Sequence, residues 1–499
     1  MDIMNQTLVT IVSILALSVV FPAGCSPAAP HSSPATPTVT VTVTPTSPVT
    51  SPSPTTARTT TPATTPPSSV PVKSTPPATT APAVPALYQS LYNELQGYLN
   101  EADKQVSAAW DGSSYAVGYA AELLTADANA GTGILQATEK KVMAEELDAE
   151  ASMGVKAITV QIGFPILDQN FYVFQGQTAA QAQQSVQTWL DYYISLAQAI
   201  HSRGLKFIVE SNPLLTFYLS ADSPINPVDY YKTLDFTTYQ ERRSQHNITV
   251  AQQIKPDYLL LQTEPDTDAV NDFRTELNNG TKDAAMIKQF VTDLESAGIP
   301  GLHTTLQIGS GAGAWLSSWK TYINGLAAIP GLDKLDTHIY NIQPSINQVG
   351  EFGVAMQIAD IAHAAGKGVS LSEFWCHKSV TLSGFNEGAD SLVDIRVRDM
   401  FSFWAPLDEQ FLNVMGKLAV GKHFDYISGF GHYDWFTEVD YSALKSVPVY
   451  PVTSKGQNDA IDAQITTMQN QAVKQAFADH QLSPTGKAYQ AIIQNGPTR

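Results

Sequence analysis

The segment DYLLLQTEP, residues 257–265, shows the pattern that decides the fold. Its three leucines form a short apolar run of the kind found in strands that are buried on both faces. A polar stretch containing Glu264 follows, and Pro265 suits the first turn of a helix. A buried strand that passes directly into a helix is the unit from which parallel sheets are built.

Seven further segments show a similar apolar run, and helix-like amphipathic stretches lie between them. Several of these stretches end in glycine just before the next strand, a common choice because glycine accepts the left-handed conformation. The segments are YAVGYAAELL (115–124), KAITVQIGFP (156–165), LKFIVESNP (205–213), HTTLQIGSG (303–311), LDTHIYNI (335–342), GVSLSEFW (368–375) and YISGFGHYDWF (426–436). Eight strand–helix units predict an α/β fold, the (β/α)8 TIM barrel. An open doubly wound sheet is the alternative, but no Gly-rich phosphate loop follows an early strand.

The first 25 residues are interpreted as a targeting segment. Their apolar run, LVTIVSILALSVVF, is too short to span a bilayer comfortably, and PAGC follows it. Small residues before Cys25 resemble the lipobox of bacterial lipoproteins, which implies that Cys25 is lipidated and anchors the chain to a membrane. An ordinary secretory signal or an uncleaved anchor is the alternative. Each of these interpretations places the rest of the chain outside the cytoplasm, as a cell-surface lipoprotein or a secreted protein.

Residues 26–86 have the composition of a disordered linker. Sixteen of the 31 prolines fall in this segment, which otherwise consists mostly of Ser, Thr, Ala and Val. Such a segment cannot bury enough apolar surface to offset its ordering entropy. We therefore expect a Pro/Thr/Ser-rich tether between the signal segment at 1–25 and a barrel domain at 87–499.

Charge and cysteine content limit the possible partners. The chain has a net charge of −18, and its excess of acid lies entirely in residues 87–499. Excess acid repels phosphate backbones and anionic lipid, so we expect no nucleic-acid partner. Neutral polymers such as glycans remain suitable. Cys376 is the only cysteine besides Cys25, so an intramolecular disulfide is not expected in a mature monomer. The histidines form no HExxH or His-x-His pattern, and no cofactor motif is present, so we expect neither a metal nor a cofactor.

Polar and aromatic residues collect where the predicted strands end. In a TIM barrel these ends meet at one mouth. Glu264 closes the fourth strand and Glu373 the seventh, on opposite sides of the barrel axis, so the two carboxylates face each other. Hydrolysis of a glycosidic bond needs such a pair, one carboxylic acid to protonate the leaving oxygen and one carboxylate to attack the anomeric carbon. The strand-end residues are Glu210, Asn212, Glu264, His338, Tyr340, Glu373, Trp375, His432, Tyr433 and Trp435.

This order of residues resembles the clan A retaining glycoside hydrolases. In TEP, Glu264 matches the clan's acid/base, and in SEFW, Glu373 matches its nucleophile. HIY resembles the clan's His-x-Tyr, which implies that His338 borders the acid/base and that Tyr340 hydrogen-bonds the nucleophile. Trp435 resembles the strand-eight tryptophan beneath the −1 sugar. The likeness spans most of residues 115–436 and rests on order and position.

The sequence departs from that clan at Thr263, where asparagine usually bonds the sugar 2-hydroxyl. Asn212, at the end of strand three, is a candidate to supply the amide that Thr263 lacks. In GFGHYDWF, Tyr433 and Trp435 form with Trp375 a set of aromatic rings that could stack on sugars. We therefore expect a retaining glycosidase that acts on a neutral, β-linked oligo- or polysaccharide at the cell surface. The alternative is a non-catalytic carbohydrate-binding surface lipoprotein on a degenerate barrel.

Other interpretations of single residues stay open at this point. Glu264 could cap the helix that follows it, since acids are favoured at helix N-termini. Glu210 is a rival carboxylate at strand three. We expect hydrogen bonds to keep Glu373 ionised, and a dry setting with nearby charge to keep Glu264 protonated. The acids after Glu264 do not follow the spacing of a calcium loop, which predicts a solvated acidic face at Asp266, Asp268, Asp272 and Glu276.

Overall fold

The strands close into a barrel. The computed structural model describes residues 82–215, 225–340, 342, 350–380, 397–430, 432–446 and 459–498. Within this part of the chain, eight parallel strands pair in sequence order and β8 returns to β1, which confirms the predicted TIM barrel and excludes the open sheet. The strands are β1 (Gly118–Glu122), β2 (Ala157–Gln161), β3 (Lys206–Glu210), β4 (Tyr258–Leu260), β5 (Gln307–Gly313), β6 (Lys334–Ile339), β7 (Gly368–Phe374) and β8 (Tyr426–Gly429).

Helices surround the strands and connect them. Gly154 ends α2 in the left-handed conformation, with φ of 95°, and allows the chain to turn into β2. The helices are α1 (Gln89–Ala109), α2 (Ala137–Met153), α3 (Gln169–Phe174), α4 (Ala179–Ser202), α5 (Val228–Thr233), α6 (Phe236–Thr249), α7 (Pro265–Asn271), α8 (Gly280–Ser296), α9 (Trp319–Ala327), α10 (Gly350–Ala364), α11 (Ala405–Gly421), α12 (His432–Phe436), α13 (Asp459–Asp479) and α14 (Pro484–Asn495). Among the described residues, no helix is both long enough and apolar enough to span a lipid bilayer.

The barrel interior changes from apolar to polar along the strands. Because successive side chains of a strand point to opposite faces, the residue two positions after an inward residue also points inward. Ala120 and Ile208 lie in an apolar lower layer, and Glu122 and Glu210 follow them in the polar layer above. The lower layer consists of Ala120, Ala157, Ile208, Leu260 and Tyr426, with Tyr258 against it. The strand register thus carries acidic side chains to the mouth.

One glycine of the barrel wall is required by close packing. A Cβ atom on Gly311 of β5 would lie 2.0 Å from the backbone oxygen of Asp336 on β6. The absence of a side chain lets these two strands approach at the level where β6 begins to present its polar residues. This contact fixes the position of β6, which carries His338 and leads directly into Tyr340.

Candidate active site

Glu264 stands at the junction between β4 and α7. Pro265 opens the helix directly after it, and the Glu264 side chain makes no capping hydrogen bond to the helix backbone. Its Oε1 instead lies 2.8 Å from Nδ1 of His338, and the Thr267 hydroxyl donates to its Oε2. The side chain is 16% exposed, so it reaches solvent at the mouth while its position is fixed from two sides.

Glu373 on β7 contacts the same histidine from the neighbouring strand, where it is the register partner of His338. Its Oε2 lies 3.7 Å from Nδ1 of His338 and accepts a hydrogen bond from the Tyr340 hydroxyl. Since Glu264 lies 2.8 Å from the same nitrogen, the two carboxylate oxygens can be separated by no more than the sum of these distances. That limit includes the spacing of ~5–5.5 Å that double displacement at a sugar requires.

Hydrogen bonds within the barrel fix the orientation of His338. The Ser372 hydroxyl donates to Oδ2 of Asp336 at 2.7 Å, so its oxygen accepts from Nε2 of His338 at 2.9 Å. Ser370 donates to the other oxygen of Asp336 at 2.6 Å. Because Nε2 therefore carries a proton, Nδ1 is the nitrogen that shares a proton with Glu264.

The charge state of His338 follows from these neighbours. Burial lowers the pKa of the imidazole, but the hydrogen bond to Glu264 and the charges of nearby carboxylates outweigh it and raise the pKa to about 9. Burial also raises the pKa of Asp336 to about 7, against the opposing effect of His338. His338 is therefore positively charged at neutral pH and offsets part of the negative charge at the mouth.

The pKa of Glu373 differs from the sequence-based expectation. Burial raises this pKa well above its ordinary value, and the negative charges of Glu210 and Glu122 add to the effect. Tyr340 supplies the expected hydrogen bond, but the expectation that hydrogen bonds keep Glu373 ionised is wrong for this arrangement because several carboxyl groups share one buried site. Removal of a neighbouring negative charge would lower the pKa of Glu373.

Glu210 and Glu122 join the predicted pair, and sequence reasoning gave them too little weight. Glu210 is fully buried, and one oxygen of Glu210 lies within 4.8 Å of the donor atoms of His338 and Glu373. Glu122 at the end of β1 is 1% exposed. Glu210 was among the predicted strand-end residues as a rival carboxylate. Glu122 was not, although it follows an apolar strand as the other three acids do, so a full list of acids at strand ends would have found it.

Asn212 and Thr263 bind each other. Nδ2 of Asn212 donates to the Thr263 hydroxyl at 2.7 Å and to Glu210 at 3.3 Å, and its Oδ1 accepts from the Thr263 backbone N–H at 3.0 Å. The pair joins the ends of β3 and the fourth strand segment directly beside Glu264. The carboxamide thus lies where the sequence predicted it, although its roles toward a sugar stay predictions.

An aromatic cluster lines the mouth beside Glu373. Trp375 and Tyr340 pack there with Trp315, Phe430 and Leu124. The Trp375 indole N–H donates to Asp399 at 3.0 Å, and the Trp375 ring lies 5.5 Å from that of Phe430. Phe430 follows Tyr426 and Ser428 at intervals of two, so the alternation of β8 could have identified it as inward-facing.

The structure places the Trp435 ring outside the barrel wall, and not with the aromatic cluster at the mouth. Trp435 is 3% exposed, and its ring stacks on Tyr489 of α14 at 4.6 Å. A Cβ on Gly429 would also meet this ring, and Gly429 alternates with the inward-facing Ser428 and Phe430. Trp435 therefore packs between the barrel wall and the C-terminal helix. The Tyr433 side chain and Cys25 lie outside the described residues.

The acids after Glu264 do not form the predicted solvated face. Asp268 and Asp272 are fully buried, and Asp268 forms an ion pair of 3.0 Å with the buried guanidinium of Arg243. The Tyr239 hydroxyl donates to Asp272. The prediction was wrong because sequence spacing did not reveal that α6 brings a buried arginine against α7.

Comparisons with known proteins give structural likenesses at low identity. No family model matches the chain, and no curated protein matches it. An exo-β-1,4-mannosidase from Opitutaceae bacterium strain TAV5 is 15% identical, with a TM-score of 0.46, over 77% of this chain and 62% of that chain. This chain therefore spans less than two thirds of the mannosidase.

Two further solved structures are similar over much of their own length. A Bacteroidetes-affiliated GH5 cellulase is 12% identical, with a TM-score of 0.42, over 80% of this chain and 95% of that chain. A rice β-glucosidase is 12% identical, with a TM-score of 0.39, over 65% of this chain and 90% of that chain. The barrel fold of this protein is established by its strand pairing, and the chemistry of its site follows from its own residues.

Proposed function

We propose that this protein is a retaining glycoside hydrolase in which Glu264 is the acid/base and Glu373 the nucleophile. The observation that carries the proposal is that both carboxyl groups lie beside one nitrogen of His338, at 2.8 and 3.7 Å, at the C-terminal mouth of a TIM barrel. Glu264 is the more exposed and reaches a leaving group from solvent. Glu373 is the more buried and is hydrogen-bonded by Tyr340.

In the first step the Glu373 carboxylate attacks the anomeric carbon and the glycosidic C–O bond breaks. The proton of Glu264 passes to the leaving oxygen, so the aglycone departs neutral and a glycosyl ester of Glu373 remains. As Glu264 becomes a carboxylate, the imidazolium of His338 at 2.8 Å stabilises the new charge. Tyr340 keeps the attacking oxygen of Glu373 in place.

In the second step water attacks the same carbon from the side of the departed aglycone. Glu264 takes the water proton, the ester bond breaks, and Glu373 returns as a carboxylate. Two inversions give net retention. Glu264 thus alternates between acid and base, and His338, whose Nε2–H is held by Ser372, follows this change through the proton shared at Nδ1.

A neutral, β-linked oligo- or polysaccharide fits this site best. The carboxyl groups of Glu122, Glu210, Glu264 and Glu373 all lie at or below the mouth, so an anionic sugar would meet like charge. The β linkage rests on the resemblance of TEP and SEFW to the clan A enzymes. A binding protein without turnover is the second candidate, and Thr263 in place of asparagine favours it.

The N-terminal segments support action at the cell surface. A lipid on Cys25 would anchor the chain, and residues 26–86 would let the barrel search polymer nearby. Replacement of Cys25 by serine should release the protein from the membrane fraction without a change in specific activity. Recovery of Cys25→Ser in the membrane fraction would contradict the lipid anchor and leave the glycosidase proposal intact.

The decisive experiment compares Glu264→Gln and Glu373→Gln with the wild type on aryl β-glycosides and neutral polysaccharides. Each variant should lose on the order of 10³-fold or more in kcat, given what removal of a central catalytic group costs. NMR of the first product should show the β-anomer. Glu241→Gln, a change at an exposed glutamate of α6, is the matched control and should keep full activity. Sugar binding without turnover in the wild type would favour the binding protein.

A further inference from the structure

Three donor groups of different strands converge below the mouth. Glu210 on β3, His338 on β6 and Glu373 on β7 each offer one ligand atom, and these atoms lie within 4.8 Å of one another. All three side chains are buried. The set differs from a cluster of surface acids because it combines an imidazole with two carboxyl groups that water does not screen.

One of these groups has unused bonding capacity. Within the part of the chain that the structure describes, Oε1 of Glu210 has no hydrogen-bond partner, although the residue is 0% exposed. Its Oε2 accepts a long hydrogen bond of 3.3 Å from Asn212, and its carboxyl group lies within hydrogen-bonding reach of Glu373. A nearby cation would stabilise a carboxylate oxygen in this buried position, since an isolated buried charge is costly. Oε1 is therefore available as a ligand atom.

We propose that Glu210, His338 and Glu373 bind a divalent transition-metal cation of the Zn²⁺ class. One imidazole and two carboxylates match the nitrogen and oxygen donors that Zn²⁺ takes. Tetrahedral ligands ~2.0–2.1 Å from a metal lie roughly 3.4 Å apart, so rotation of the two glutamate side chains is enough to close the site. Water or Glu264 would complete the coordination.

The donor number argues against the hard cations. Ca²⁺ takes six to eight oxygen ligands, and Mg²⁺ dehydrates reluctantly and keeps several waters. The space between these three buried side chains supplies two carboxyl groups and one nitrogen. Zn²⁺ should therefore bind at concentrations at which Mg²⁺ does not.

Occupancy of this site would stop glycoside hydrolysis, a consequence that rests on the proposed function. The metal would engage the Glu373 carboxylate that attacks the sugar. It would also take Nδ1 of His338, the nitrogen that holds Glu264 at 2.8 Å. The cation thus acts as an inhibitor, and the site need not contain metal for the enzyme to work. Metal binding itself does not depend on turnover.

Isothermal titration of the full-length protein with Zn²⁺, without sugar, tests the site directly. We expect one Zn²⁺ per barrel, proton release on binding, and no comparable heat with Mg²⁺. Glu210→Gln should weaken Zn²⁺ binding at least 10-fold, because loss of even an outer-shell partner costs 10- to 100-fold. Visible absorption of bound Co²⁺ should likewise show tighter binding to the wild type than to Glu210→Gln.

A surface cluster supplies the matched control. His303 lies 3.2 Å from Asp333 and 3.7 Å from Glu295 and could bind Zn²⁺ adventitiously. His303→Gln should leave the titration unchanged. Loss of binding in this variant, unchanged affinity in Glu210→Gln, or no binding to the wild type would each overturn the inference. If Glu210→Gln does not fold by circular dichroism, Glu373→Gln removes a second ligand and is assayed for binding alone.

The outcomes separate the two proposals. A protein that hydrolyses glycosides, loses activity in Glu373→Gln and binds no Zn²⁺ contradicts the metal site alone. A protein that binds Zn²⁺ through Glu210 but turns over no glycoside contradicts the proposed function alone. If the metal site and the glycosidase activity are both present, Zn²⁺ should inhibit the wild type, and removal of Zn²⁺ by a chelator should restore activity.

Discussion

Replacement of His338 by glutamine tests the electrostatic arrangement of the site. The imidazole is fully buried between Glu264, Glu373 and Asp336, and these contacts raise its pKa from 6.5 to about 9. A group whose pKa is raised on folding stabilises the protein most below its unfolded pKa. This contribution is lost as the pH rises through the folded pKa. The glutamine variant keeps a polar side chain of similar reach but has no charge to lose.

The size of the effect follows from the difference between the two pKa values. One pKa unit corresponds to 1.36 kcal/mol, so the shift from 6.5 to about 9 amounts to roughly 3 kcal/mol of folding stability. The free energy of unfolding of the wild type relative to His338→Gln should therefore fall by about this amount between pH 6 and pH 9.5. Asp336 also titrates in this range and loses the opposing effect of His338 in the variant, so the NMR midpoint of the His338 resonance is needed beside the stability difference to isolate the imidazole.

Two measurements check this prediction. Urea unfolding of both proteins at several pH values gives the difference in free energy. NMR of protein labelled in histidine gives the midpoint of the resonance that is missing in His338→Gln, which should lie near pH 9. A difference in stability that stays flat across the range, or a midpoint at or below pH 6.5, would refute the charged imidazole and with it the stabilisation of the Glu264 carboxylate.

Three further predictions concern neighbouring side chains. Glu210→Gln removes a negative charge that raises the pKa of Glu373, so this pKa should fall. The acidic limb of the pH profile of kcat/KM should therefore move to lower pH. A shift to higher pH would contradict the electrostatic coupling between Glu210 and Glu373. Tyr340→Phe removes a hydrogen-bond donor to Glu373 and should lower kcat about 10- to 100-fold, as expected for the ~1.5–3 kcal/mol of a hydrogen bond to a charged group. An unchanged kcat in stopped-flow assays would contradict this role of Tyr340. Trp435→Phe loses part of the ring stack on Tyr489 and should lower the free energy of unfolding by roughly 1–3 kcal/mol, while KM stays within about 2-fold. A large rise in KM at constant stability would instead show that Trp435 contacts the sugar.

The sequence by itself determined the barrel and the position of its acids along the chain. Each strand can be recognised from its local sequence, because an apolar run between polar turns has few other ways to bury its side chains. Strand order then places residues at the ends of β4 and β7 on opposite sides of one mouth, so the sequence alone pairs Glu264 with Glu373. The same reasoning located His338 on β6, and Tyr340 directly after it, between these two strands.

Tertiary structure alone decided which neighbours act on these residues. Alternation along β8 identifies Phe430 as inward-facing, but the chain turns after the strand ends, so the period of two no longer tells where Trp435 points. The pKa of Glu373 depends on Glu210 and Glu122, which come from strands far away in the sequence. Burial and charge are sums over neighbours in space, and a local pattern cannot contain that sum.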